Sequence, residues 1–261
     1  MPISSLRSNL SASLRPGHKR AIKHHLFSLL YGNDLNELAK KFGTDKTDHH
    51  FYMQHYQNHF SKWRRKKFNL LEIGIGGYED PRGGGQSLRV WKAFFPHANI
   101  YALDIYDKSY HDESRIKTYM GSQVDETLLK RIVEEAGGFD IIIDDGSHIN
   151  EHVITTFNLL FPRLNLDGIY VIEDLQTSYW ETDAFGNDWG GSKDLQAPFT
   201  SMNLLKNLVD CLNYQEFMID HYSPSYFDKH IKAISFYHNI AFIEKGKNEE
   251  GGDGLRRLRG W

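Results

Sequence analysis

The stretch 68-FNLLEIGIGGYEDPRGGGQSL-88 decides the fold. An apolar run through Leu70, Leu71 and Ile73 breaks into glycines at 74, 76 and 77, and a helical pattern resumes near Ser87. A strand buried on both faces reads as a continuous apolar run. Glycines let the backbone take positive φ and approach a ligand closely. Strand, glycine loop and helix in that order predict the opening unit of a doubly wound α/β sheet, with its ligand at the carboxyl edge of the strands.

The alternation continues. Apolar runs recur at 99-NIYALDI-105, 115-RIKTYM-120, 139-FDIIIDD-145 and 168-GIYVIED-174. Helical periodicity fills 87–95, 125–136 and 151–160, and a further helix is expected over 201–214. Two last β-like runs, 231–238 and 240–245, meet at Asn239 and predict an antiparallel hairpin. The expected fold is α/β: a Rossmann-like, seven-stranded, mostly parallel sheet with a terminal antiparallel hairpin and a small helical N-terminal cap. Residues 1–61 read as an arm and helical cap, with a break at Gly32-Asn33; 62–246 read as the sheet domain; 247–261 read as a Gly-rich, charged, flexible tail.

Composition narrows the function classes. The chain has 261 residues and a formal charge of −3, so no global field invites nucleic acid. A single cysteine, Cys211, excludes an intramolecular disulfide and points to a reducing, cytoplasmic setting. No run approaches the ~20 apolar residues that cross a bilayer, so no membrane partner is expected.

Chemistry concentrates at strand ends. Glu72 precedes Gly74 by two, and about ten residues separate Gly77 from Ser87. A loop that long favours S-adenosylmethionine (SAM) over a dinucleotide, whose glycine turn runs straight into its helix. Glu72, Gly74 and Gly76 are therefore candidate cofactor residues. Asp104 ends the second strand, placed to accept from two ribose hydroxyls. Ser122 and Gln123 stand where an adenine edge would lie, or they cap the helix near Asp125. Asp145 ends the fourth strand, and Glu173 and Asp174 end the fifth. Adjacent strands lie ~4.8 Å apart, and carboxylates that close in a low-dielectric cleft call for a cation. Oxygen donors without cysteine select Mg²⁺ over zinc. His148, three residues beyond Asp145, offers a proton acceptor near neutral pH. Asp144, on the opposite strand face, is directed at the cationic methionyl part of SAM. His152 reads as structural.

Four segments, 142-IIDDGSH-148, 171-VIEDLQTSYW-180, 42-FGTDK-46 and 55-HYQNHF-60, resemble the metal-dependent sugar O-methyltransferases of macrolide biosynthesis. The resemblance spans roughly residues 36–245. It implies the class I SAM-dependent methyltransferase fold, Mg²⁺ on Asp145, Glu173 and Asp174, and His148 as general base beside Asp145. The implied substrate is a deoxysugar hydroxyl on a small-molecule glycoside, and the implied assembly is a homo-oligomer, dimer or tetramer. Within 44–60, Thr44 reads as an N-cap or loop residue. Tyr52, His55, Tyr56 and His59 share a helical stripe, with Tyr56 in a cap that closes over SAM. The aromatic stretch 176–194 reads as an irregular lid, with Tyr179 and Trp180 facing substrate. The rivals are a methyltransferase for a catechol or other vicinal diol, an NAD-dependent sugar dehydrogenase or epimerase, and a binding protein that keeps the fold.

Overall fold

The computed structural model describes residues 16–217 and 219–249, with the backbone alone for 16–22. Of the polar arm expected over residues 1–20, residues 1–15 lie outside the described residues, as does most of the expected tail, while residues 16–20 are helical rather than irregular. The chain divides into two compact units: residues up to Lys67 with Gly84–Ala98, and Phe68–Gly83 with the chain from Asn99 onward.

The first unit is helical. Gly32 and Asn33 interrupt the periodicity and the chain breaks there, between α1 (Pro16–Tyr31) and α2 (Leu35–Phe42). Asp34 caps α2 by accepting from the Glu37 N–H at 3.0 Å, and Gly43 ends it in the left-handed conformation. Thr44 caps the short α3 (Asp45–Asp48). In α4 (Met53–Phe60) the buried line is Met53, Tyr56 and Phe60, while His55 and His59 flank it, half-buried. Of the expected stripe, Tyr52 and Tyr56 are buried and only the two histidines fall to the side, because Met53 and Phe60 take the remaining inward positions. Tyr56 sits fully buried, 4.9 Å from the Phe60 ring and 5.0 Å from Trp91 of α5 (Gln86–Phe94). Helix α5 joins this unit although it lies between the first two strands in sequence.

The second unit carries the sheet. Its strands are β1 (Asn69–Ile73), β2 (Asn99–Asp104), β3 (Ile116–Met120), β4 (Phe139–Asp144), β5 (Leu164–Ile172), β6 (Ile231–Tyr237) and β7 (Ile240–Lys245). They form one seven-stranded sheet in the order β3-β2-β1-β4-β5-β7-β6. The first five are parallel, and β7 pairs antiparallel with both β5 and β6. The run Ile141–Ile142–Ile143 is fully buried, which is why it reads as unbroken apolar sequence. Helices α6 (Glu126–Ala136), α7 (Asn150–Leu160), α8 (Ser201–Leu212) and α9 (Tyr226–His230) complete the unit. Leu129, Ile132, Phe157, Leu160 and Leu205 join the strand residues in one core. Each such side chain contributes roughly 1.5–3 kcal/mol by leaving water. No described helix is long and apolar enough to cross a membrane.

Candidate active site

Backbone hydrogen bonds lace four strand ends into one edge. The Gly74 N–H donates to the Leu103 carbonyl (2.8 Å), Asp145 to Ile73 (2.9 Å) and Glu173 to Asp144 (3.0 Å). Gly74 has φ of +76°, and a Cβ there would fall 2.0 Å from the Asp145 carbonyl oxygen. Only glycine lets β1 end against the Asp145 turn.

That turn and the one after β5 bring three side chains together. His148 Nε2 lies 3.6 Å from Asp174 Oδ2 and 3.9 Å from Asp145 Oδ1. One donor atom from each of the three lies within 4.8 Å of the others, the spacing of a metal-binding group. His148 and Asp174 both hold positive φ, 57° and 54°. Non-glycine residues seldom adopt this region, and strain of that kind clusters at ligand sites. The sequence groups Asp145, Glu173 and Asp174 as ligands with His148 alongside. The structure gathers Asp145, His148 and Asp174, while Glu173 is buried and lies outside that group. The two carboxylates suit a hard divalent ion, with the imidazole standing beside them.

Beneath the turn lies a buried polar network. Gln123 Nε2 donates to Asp144 Oδ1 (3.1 Å) and Thr156 Oγ1 (3.0 Å), and its Oε1 accepts from the Ser147 N–H (2.7 Å). Asp144 Oδ2 accepts from the Tyr170 hydroxyl at 3.5 Å. Burial pushes the Asp144 carboxyl up to about 7, against the opposing pull of the Gly146 N–H and Gln123. Ser147 Oγ is 3.0 Å from His152 Nδ1, which gives His152 a structural partner. Gln123 is thus committed within the protein, and an adenine contact would require it to release one of these bonds. Ser122 braces the turn through the Val124 N–H (3.3 Å). The cap of α6 is Asp125 itself, and neither Ser122 nor Gln123 serves that role.

On the glycine side, Asp104 accepts from the Ile75 N–H and the Tyr106 N–H, each at 3.0 Å. Its oxygens keep lone pairs for a hydroxyl donor. Glu72 is buried on β1. Two residues that sequence reasoning missed shape the loop. Lys108, buried, donates to the carbonyls of Tyr78 (2.7 Å), Asp80 (2.9 Å) and Gly83 (3.4 Å), and His111 Nε2 meets Gly83 O at 3.1 Å. Nothing in the spacing marks this lysine, because buried lysines are rare and carry no motif. Beyond β5, Tyr179 and Trp180 are exposed. The stretch 176–194 is not irregular throughout: a 3-10 turn, Leu175–Tyr179, leads into a small antiparallel bridge between Thr182 and Asp188.

No protein-family profile matches the chain. Mycinamicin VI 2''-O-methyltransferase of Micromonospora griseorubida is 49% identical over 222 residues, which are 84% of this chain and 54% of the relative. Demethylmacrocin O-methyltransferase of Streptomyces fradiae is 49% identical over 231 residues, 87% of this chain and 56% of the relative. The chain is a homologue of these O-methyltransferases. A solved structure of the MycE methyltransferase of the mycinamycin pathway, bound to Mg and SAH, superposes with a TM-score of 0.79 at 49% identity, over 84% of this chain and 55% of that one. A second MycE structure, which also holds mycinamycin VI, gives 0.78 at 48% identity. The expected methyltransferase fold with its terminal hairpin is therefore the fold of this chain. The chain spans about half the length of the curated relatives it matches.

Proposed function

We propose that this chain is a SAM- and Mg²⁺-dependent O-methyltransferase acting on a sugar hydroxyl of a small-molecule glycoside. The observation that carries the reading is the convergence of Asp145, His148 and Asp174 at adjacent strand ends. Relatives named as O-methyltransferases, and a neighbour that holds Mg and SAH, support it. Asp145 and Asp174, with Glu173 next in the chain, would hold the ion. Mg²⁺ bound there would supply charge that lowers the pKa of a nearby hydroxyl. His148 Nε2 takes the hydroxyl proton. The freed oxygen bonds to the SAM methyl as the sulfonium C–S bond breaks, leaving S-adenosylhomocysteine. For that transfer the protein's main contribution is alignment.

Gly74 and Gly76 form the cofactor's bed in this reading, and Asp104 accepts from its ribose hydroxyls. Tyr179 and Trp180 offer apolar faces to the sugar. The resemblance also carries a dimer or tetramer, which light scattering tests. The deciding experiment is incubation with labelled SAM and a panel of deoxysugar-bearing natural products, with Mg²⁺ or with EDTA. Label transferred only with Mg²⁺ supports the proposal; transfer indifferent to EDTA removes the metal, and no transfer to any glycoside removes the substrate class. His148→Ala is expected to bind SAM normally in calorimetry while losing at least about a hundredfold in turnover. Full turnover in that variant would take the base role from His148.

A further inference from the structure

Asn150 opens α7, two residues beyond His148, and is fully buried. Its side-chain amide is saturated. Nδ2 donates to the carbonyls of Thr177 (3.0 Å) and Trp189 (2.8 Å). Oδ1 accepts from the Ser201 N–H (2.7 Å), the Ser201 hydroxyl (3.0 Å) and the Ser178 hydroxyl (3.1 Å). Its own backbone N–H donates to the Trp189 carbonyl at 3.0 Å. One side chain therefore ties together the turn after Asp174, the return arm of the aromatic loop and the start of α8.

The loop itself is seated against this hub. Trp189 N–H donates to Glu181 O (3.1 Å), Gly191 N–H to Trp180 O (3.0 Å) and Ser192 N–H to Ser178 O (3.0 Å). A Cβ on Gly191 would fall 2.3 Å from both the Thr177 and Trp180 carbonyl oxygens. Tyr179 and Trp180 lie in the segment held at both sides by these bonds. Their exposed rings stand on a pinned base, and that base is anchored next to His148.

We propose that Asn150 is a positioning residue that fixes the Tyr179–Trp180 wall in register with His148, so that acceptor recognition and proton removal share one anchor. The inference rests on the methyl-transfer reading above. An acceptor held by its ring on the wall must present its hydroxyl at His148 Nε2, and a misplacement of ~1 Å can cost about a hundredfold in rate. A carboxamide fits this task because it donates from its nitrogen and accepts at its oxygen at once. Aspartate keeps the shape but cannot donate, and it sets negative charge against the Thr177 and Trp189 carbonyls.

The test uses Asn150→Asp and Gly191→Ala in the full chain, with two readouts. Hydrogen–deuterium exchange without substrate reports the pin. Amides of 177–192 are expected to exchange at least about tenfold faster in both variants, with β1 and β4 unchanged. Steady-state kinetics reports the register: the acceptor KM is expected to rise about tenfold, while the SAM KM stays within about twofold. Unchanged exchange overturns the proposal, as does faster exchange with an unaltered acceptor KM. Should Asn150→Asp not fold, Ser178→Ala decides by the same two readouts, since it removes one donor to Asn150 Oδ1 and leaves the buried amide in place. A wild-type chain that transfers no methyl to any glycoside removes the methyl-transfer reading instead, and exchange then judges the pin by itself.

Discussion

Gly74 is the residue on which most of the site's geometry turns. Its φ of +76° and the 2.0 Å approach of the Asp145 carbonyl leave no room for a methyl group. Gly74→Ala is expected to cost about 1–3 kcal/mol in folding stability and to displace the Asp145 turn, so activity should fall further than stability does. Urea denaturation beside kinetics checks this; a variant as stable and as active as wild type would show that the close approach relaxes without consequence. Gln123→Leu tests the network below. It leaves the Ser147 N–H without its acceptor and removes two donors, one each to Asp144 and Thr156. A loss of about 1–3 kcal/mol is expected, and equal denaturation midpoints would argue against a supporting role. At this scale legibility divides by chemistry. Asp145, His148 and Asp174 stood out because charge gathered at the end of an apolar run asks for a reason. Asn150 and Lys108 did not, because one amide or one lysine in a polar stretch looks like solvent-facing surface until its partners, 27 to 51 residues away in one case, are known.

Among the elements, the buried parallel strands were the most legible, since burial on both faces leaves only apolar residues to read. β5 shows the limit. Its first half, 164–168, pairs with β4 through a register shift and exposes Asn165, Leu166 and Asp167, so the polar residues hid the strand until Gly168. The hairpin β6–β7 was legible from Asn239, which takes φ of 61° at the turn. One anchor of that hairpin was not. Lys245, buried on β7, donates from Nζ to the carbonyls of Phe161, Pro162 and Leu164, where α7 gives way to β5. Phe161 O also accepts from the Leu164 N–H and Pro162 O from the Tyr226 hydroxyl (3.2 Å), so the ammonium adds to bonds already made where the helix ends. Lys245→Met fills similar space and withdraws the ammonium from all three carbonyls. It is expected to destabilise the fold by about 2–4 kcal/mol, with exchange rising first at 161–164; a midpoint equal to wild type would mean that water replaces the ammonium.

The whole molecule divides where sequence could not show it. The change of pattern near residue 62 is visible, but the return of Gly84–Ala98 to the helical unit is not, because contact between distant segments leaves no local signature. The sheet unit carries the strand ends, and with them any ligand-linked stability. A ligand that binds only the folded chain adds RT ln(1 + [L]/Kd), about 2.7 kcal/mol at a hundredfold excess over Kd. For a domain of this size each kcal/mol moves Tm by about 2–4 °C, so saturating S-adenosylhomocysteine is expected to raise Tm by about 5–10 °C. NAD at the same concentration should leave Tm within about 1 °C, since the long loop after Gly77 does not make the tight dinucleotide turn. Asp104→Ala should abolish most of the S-adenosylhomocysteine shift if its carboxylate accepts from the ribose, whereas Asp145→Asn should retain that shift and lose any added response to Mg²⁺. A rise with NAD and none with S-adenosylhomocysteine would transfer the fold's ligand edge to hydride chemistry. An intact shift in Asp104→Ala would place the ribose elsewhere on that edge.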